Sequence, residues 1–299
     1  MQLAGTVFFV SYSVDEGIST LYAVTAKHVV EEIRKHGDGQ YGYYRINVKD
    51  GPTKWVQFSL GDCSFHPDDP AVDIALVPSV GIEDKFDVMY YPMAAVLTDE
   101  VIARDQVGPG DEVFITGLFV NHYGKDRNIP IIRTGNIATM LEEKINTSVG
   151  LMDAYLIEAR SIGGLSGSPA FVHLGVVRSF AGQVKHSNAP YGAFYLMGLM
   201  HGHFDVAVTD PHAADVIAMR ERINMGIAIV VPVSKIIEVI EQPMLKQKRA
   251  GELAKFKAEN LPVPDVVTPE SSSEFTEADF LDALKKVSRK QSAPGKSET

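Results

Sequence analysis

A serine set among glycines, in Gly164-Leu165-Ser166-Gly167-Ser168-Pro169, is the part of this chain with the most chemical content. A serine hydroxyl is a weak nucleophile near neutral pH and needs a base placed to take its proton. Two other stretches carry groups suited to that work. Thr25-Ala26-Lys27-His28-Val29-Val30 places an imidazole at the close of an apolar, β-prone run. Val72-Asp73-Ile74-Ala75-Leu76-Val77 places an acid at the head of an apolar strand. An imidazole with a pKa near 6.5 can take a proton and return it. A carboxylate on its other ring nitrogen would set the tautomer and stabilise the imidazolium. Plainer uses remain open: Ser166 as a turn residue, His28 at a strand end, Asp73 as a turn cap. Asp68 and Asp69 rival Asp73, which is preferred because it alone opens the strand.

The pattern Gly-x-Ser-Gly-x-Pro, preceded in order by His28 and Asp73, resembles the trypsin-like (chymotrypsin-fold) serine peptidase family. The resemblance runs from about Ala4 to Gln242 and is nearest to the disulfide-free bacterial branch. It implies a serine endopeptidase in which Ser166 attacks, His28 is the base, Asp73 orients it, and the N–H groups of Gly164 and Ser166 form the oxyanion hole. Counting back from the serine, it puts Arg160 or Ser161 near the base of the primary pocket. The acid of trypsin is absent there, and Arg160 facing inward would favour an acidic side chain by direct pairing. The residue before the serine is Leu165, which cannot receive a newly cut N-terminus, so activation by such processing is not expected. A protease-fold binding module with weak or lost catalysis is the alternative reading.

His201-Gly202-His203, with Asp205 two residues on, has the spacing that puts two imidazoles on one strand face. The stretch Tyr195–Gly202 also resembles the family strand that runs through a glycine to the wall of the substrate cleft. Met200, His201 and His203 are therefore read as substrate-side residues and not as zinc ligands. No metal and no cofactor is expected.

Such residues must be brought together by a scaffold of strands. Short apolar runs recur from Gly5 to Val231: Val7–Val10, Leu21–Val24, Arg45–Val48, Trp55–Leu60, Ile74–Val77, Glu112–Thr116, Ile129–Ile132, Ala154–Ile157, Ala170–Val172, Tyr195–Met200 and Ile227–Val231. Gly, Pro, Asn and Asp separate them. Many short strands without alternating helices indicate an all-β fold. The resemblance makes this two six-stranded antiparallel Greek-key barrels. A turn-rich break divides residues 1–104, with His28 and Asp73, from residues 105–242, with Ser166. Val233–Glu241 has helical spacing with Ser234 as an N-cap, and closes the second unit. Residues 243–299 form a helical and partly disordered tail. Within it, residues 275–289 make an amphipathic stretch (Phe280, Leu281, Leu284, Val287) suited to docking a regulatory partner.

The 299 residues are 45% apolar and 22% charged, as in globular domains, and carry a net charge of −10. That charge disfavours a nucleic-acid surface, which needs clustered Lys and Arg. The one cysteine, Cys63, cannot form an intramolecular disulfide and suits a reducing compartment. No leader-like segment opens the chain, and no apolar run reaches the roughly 20 residues that span a bilayer. A cytoplasmic enzyme acting on protein or peptide is the expectation.

Overall fold

The computed structural model describes residues 3–79, 85–119, 121–147, 149–159, 164–175, 177–180, 183–186, 194–207 and 222–259. The first half opens with a hairpin of β1 (Phe8–Asp15) and β2 (Ile18–Thr25), which pairs Phe8 with Val24 and Val10 with Tyr22. Helix α1 (Lys27–His36) follows at once. A ribbon of β3 (Tyr41–Val48) and β4 (Gly51–Ser59) comes next, then the short strands β5 (Ser64–Phe65), β6 (Ala75–Val77) and β7 (Tyr90–Pro92). Helix α2 (Asp99–Asp105) leads to the second half. Thr98 caps it by accepting the Val101 N–H.

The second half contains β8 (Glu112–Leu118), β9 (Pro130–Thr139), a small hairpin of β10 (Ile145–Thr147) and β11 (Gly150–Met152), and β12 (Tyr155–Glu158). After the serine loop come β13 (Pro169–His173), the hairpin of β14 (Val177–Phe180) and β15 (Gln183–His186), then the long strands β16 (Phe194–Ala207) and β17 (Arg222–Pro232). Six strands close into a barrel in the order β12-β17-β16-β13-β8-β9, with every pairing antiparallel. Val113 and Ile115 on β8 alternate inward, as a barrel wall requires. β16 and β17 approach so closely that a Cβ on Gly198 would lie 1.9 Å from the Val231 carbonyl oxygen.

The all-β expectation holds, and the second half is the closed antiparallel barrel. Among the described residues, backbone pairing in the first half is more open than in the second. Its strands form a five-stranded sheet, β5-β6-β2-β1-β7, with β1 and β7 parallel, and β3-β4 stands apart as a two-stranded ribbon. Side chains join the two: Tyr44, Ile46, Phe58 and Leu60 bury with Ala23, Val30, Ala75 and Val77 in one core. Polar ties hold the outer end of the ribbon. Arg45 donates to the carbonyls of Gly124 and Lys125 at 2.8 and 2.7 Å.

The barrel interior is a second core, around Ile115, Ile157, Tyr195 and Met197. A third core draws on both halves, from Val10, Ile74 and Leu76 to Leu199, Val231 and Ile236. Helix α3 (Val233–Ile240) seals it with Ile236, Val239 and Ile240. Pro232 occupies the N-cap of α3 and no side chain caps it, so Ser234 does not have the expected role. The tail continues as α4 (Pro243–Glu259), and residues 275–289 lie outside the described residues. No helix among the described residues is long and apolar enough to cross a membrane.

Candidate active site

His28 stands in the first turn of α1, not at a strand end. Val29 and Val30 bury under that helix, and their packing turns the chain out of β2. Arg34, Lys35 and His36 in the last turn complement the helix dipole. Asp73 lies just before β6 and is aimed at the start of the helix. Its Oδ1 accepts the His28 backbone N–H at 2.8 Å, and its Oδ2 accepts His28 Nδ1 at 2.7 Å. Asp69 is otherwise engaged, since its Oδ1 accepts the Ala71 N–H at 2.9 Å.

Asp73 is 2% exposed, against 30% for the His28 side chain. Burial pushes the Asp73 carboxyl up, but hydrogen bonds from His201 and His28 outweigh it and hold the group at about 2. Burial disfavours the His28 imidazolium. The Asp73 hydrogen bond and charge, with Glu31 and Glu32, outweigh that and raise its pKa above the ordinary 6.5.

The serine loop turns on two glycines in the left-handed region, Gly164 at φ 98° and Gly167 at φ 84°. Its outer carbonyls are held by the N-terminal segment. Thr6 donates Oγ1 to the Gly164 carbonyl at 2.8 Å, and its N–H donates to the Ser166 carbonyl at 2.8 Å. Gly5 lies between loop and helix: a Cβ there would fall 2.7 Å from both the Ser166 oxygen and Val29 Cγ2. A Cβ on Gly167 would fall 2.3 Å from the Thr6 carbonyl oxygen and 2.5 Å from Thr25 Oγ1. The loop is thereby packed against the residues that lead into α1. Gly167 N–H reaches the Met200 carbonyl and Met200 N–H reaches Ser168, both at 2.8 Å. Among the described residues, no backbone acceptor is paired with the N–H groups of Gly164 and Ser166. Ser166 Oγ donates to the His201 carbonyl at 3.2 Å.

Two substrate-side expectations are corrected. The Met200 side chain is fully buried in the barrel core and lines no cleft. His201 is 8% exposed and turned inward, with its Nδ1 2.5 Å from Asp73 Oδ2. The β16–β17 register shifts between Met200 and Gly202, and this bulge at His201 re-aims the ring. His203 is partly exposed. Arg160 and Ser161 lie outside the described residues. Sequence reading missed the clamp made by Gly5 and Thr6, which carries no motif. It also missed His201 as a partner of Asp73, although the His-x-His pattern marked the position.

One ring nitrogen each from His28 and His201 and one carboxylate oxygen of Asp73 lie within 4.8 Å of one another. Both Nδ1 atoms stand at hydrogen-bond distance from Oδ2, so each directs an N–H, not a lone pair, at the carboxylate. A transition-metal ion needs bonds of about 2.0–2.2 Å, and the trio would have to open to admit one. Cys63 is half-buried, and burial pushes its thiol up to about 11, far from a reactive thiolate.

No family model and no curated protein matches the chain. Solved structures similar to it include protease domains. The MamO protease domain from Magnetospirillum magneticum aligns at 14% identity over 78% of this chain and 94% of its own, with a TM-score of 0.39. Deg5 aligns at 13% over 78% of this chain and 86% of its own, with a TM-score of 0.38. The active form of the Rv3671c protease from M. tuberculosis aligns at 13% over 80% of each chain, with a TM-score of 0.37.

Proposed function

We propose that this chain is a serine endopeptidase acting through Ser166, His28 and Asp73. The observation that carries this reading is the buried Asp73 carboxylate bound to both the Nδ1 and the backbone N–H of His28, with the Ser166 hydroxyl, on its glycine-hinged turn, bonded to the carbonyl of His201, whose ring meets the same carboxylate. The Nδ1–H bond leaves Nε2 of His28 with its lone pair, as a base requires. His28 takes the hydroxyl proton as Ser166 Oγ attacks the peptide carbonyl. The carbonyl oxygen becomes an anion, and the N–H groups of Gly164 and Ser166 are the donors available to it; one such donor is worth about 10²–10³ in rate. His28 then gives its proton to the leaving amine, and the C–N bond breaks to leave an acyl-enzyme. A water molecule, deprotonated by His28, hydrolyses the ester and restores Ser166. Side chains and backbone supply every step, and the substrate is a protein or peptide.

The Ser166–His201 hydrogen bond favours a second reading, a protease fold held in a resting or catalytically weak state. A fluorophosphonate probe separates the two. Wild type should label and Ser166→Ala should not. A folded wild-type protein that stays unlabelled at high probe concentration overturns the peptidase reading.

A further inference from the structure

One carboxylate oxygen in this site serves two imidazoles. Asp73 Oδ2 accepts His28 Nδ1 at 2.7 Å and His201 Nδ1 at 2.5 Å. An ionised carboxylate only accepts, so each ring carries its proton on Nδ1. The two rings meet edge to face, with centroids 5.3 Å apart. They differ in access: His28 is 30% exposed and His201 8%. The backbone of His201 meets the other end of the site, where its carbonyl accepts Ser166 Oγ at 3.2 Å. This one residue therefore touches the acid through its ring and the nucleophile through its main chain.

The bulge at position 201 interrupts the pairing of β16 with β17, which is regular from Gly198 to Met200 and shifts again between His203 and Asp205. The first of these irregularities falls at the residue whose imidazole meets Asp73. Each hydrogen bond to a buried carboxylate favours its ionised form. Both imidazoles lower the pKa of that carboxyl, and the His201 contact is the shorter of the two, 2.5 Å against 2.7 Å.

We propose that His201 is a positioning residue of the site, clamping Asp73 and drawing off part of its charge, so that a His–Asp–His trio sets the basicity of His28. The inference rests on the peptidase reading for its kinetic consequence and on geometry alone for the trio. The titratable groups around His28 are Asp73 from the segment before β6, Glu31 and Glu32 on its own helix, and His201 from β16. Lys27, beside it, is tied to the Pro70 carbonyl at 2.8 Å and approaches Glu31 at 3.9 Å. His203, further along β16, is partly exposed.

Two substitutions test the idea. His201→Phe keeps a ring and removes the donor; His201→Asn keeps a donor near the Nδ1 position and cannot titrate. The pH dependence of fluorophosphonate inactivation gives the kinetic readout. With one donor fewer, Asp73 leaves more negative charge for the His28 imidazolium. The acid limb of His201→Phe should therefore move up by about 0.5–1 pH unit, while that of His201→Asn stays near wild type. An unmoved limb in His201→Phe, or an equal shift in both variants, overturns the proposal. Proton NMR of histidine-labelled protein gives a readout free of activity and does not depend on His201→Phe folding. Wild type should show two strongly deshielded imidazole N–H signals and His201→Asn one; a single signal in wild type overturns the trio. A protein that shows both signals yet takes no probe would refute the peptidase reading and leave the shared carboxylate standing.

Discussion

Asp73 illustrates how much a single carboxylate can decide. It is almost wholly buried, yet donors on both oxygens keep it ionised. Its folded pKa of about 2, against 3.8 for the free group, makes it a source of stability above pH 3.8 that is lost as pH falls towards 2. The difference in stability between wild type and Asp73→Asn should accordingly shrink by about 2 kcal/mol from pH 5 to pH 2. Urea midpoints at the two pH values measure it, and the other carboxylates cancel in the difference. In catalysis the same substitution should lower turnover about 10⁴-fold while Ser166 keeps its place. The raised pKa of His28 has the opposite sign. The base must be neutral, so activity is lost as pH falls through a midpoint above 6.5. Probe inactivation rates from pH 5 to 9 should show that midpoint; a limb centred below 6.5 would rule out His28 as the titrating base.

At the level of elements, the serine loop is held by a segment from the other half of the chain. Thr6 Oγ1 donates to the Gly164 carbonyl and accepts the Leu118 N–H at 3.0 Å, so it ties the loop to β8 as well. Thr6→Val keeps the shape but strands both partners. It should cost about 1–3 kcal/mol in thermal stability and lower the rate of probe labelling, because the loop carbonyl at Gly164 is released. Unchanged labelling in a folded Thr6→Val protein would show that the clamp is structural only. Gly167→Ala should be more severe. Its φ of 84° strains any Cβ, and that Cβ would overlap the Thr6 carbonyl. Labelling by the probe should fall with it, since the backbone N–H of Ser166 lies in the same turn.

Across the whole molecule, the two halves share a core. Ile74 and Leu76 beside the acid pack with Leu199 and Val231 of the barrel, and α3 covers them. Burying such side chains is worth about 1.5–3 kcal/mol each, so neither half can lose the contact cheaply. Unfolding in urea should therefore be a single transition, with Trp55 fluorescence from the first half coinciding with far-UV circular dichroism. Two separated transitions would show that the halves fold alone. Helix α4 is pinned to the same body by Arg249, buried at 8% exposure. It donates to Tyr22 Oη at 2.8 Å and Glu241 Oε1 at 2.8 Å, and its guanidinium lies 5.0 Å above the Tyr12 ring. Arg249→Ala should lower the melting temperature, at a cost of about 2–3 kcal/mol, by undoing that anchor.

Local patterning determined much of this protein without help from tertiary structure. Alternating or continuous apolar runs bounded by Gly, Pro and Asp marked β1, β2, β8, β13, β16 and β17, because a buried strand face must be apolar. The glycines at 164 and 167 announced a turn that other residues cannot make, and the sequence types at 28, 73 and 166 named the chemistry such a turn could serve. Distance in the chain hid the rest. Helix α1 was missed because its apolar stripe is short and continues a β-prone run. Among the described residues, side-chain packing and not backbone pairing joins the β3-β4 ribbon to the first-half sheet, which no local pattern encodes. His201 was legible as a histidine near the site, but its direction was not. Only a bulge in β16, set by its register against β17, turns the ring onto Asp73 and makes one carboxylate serve two imidazoles.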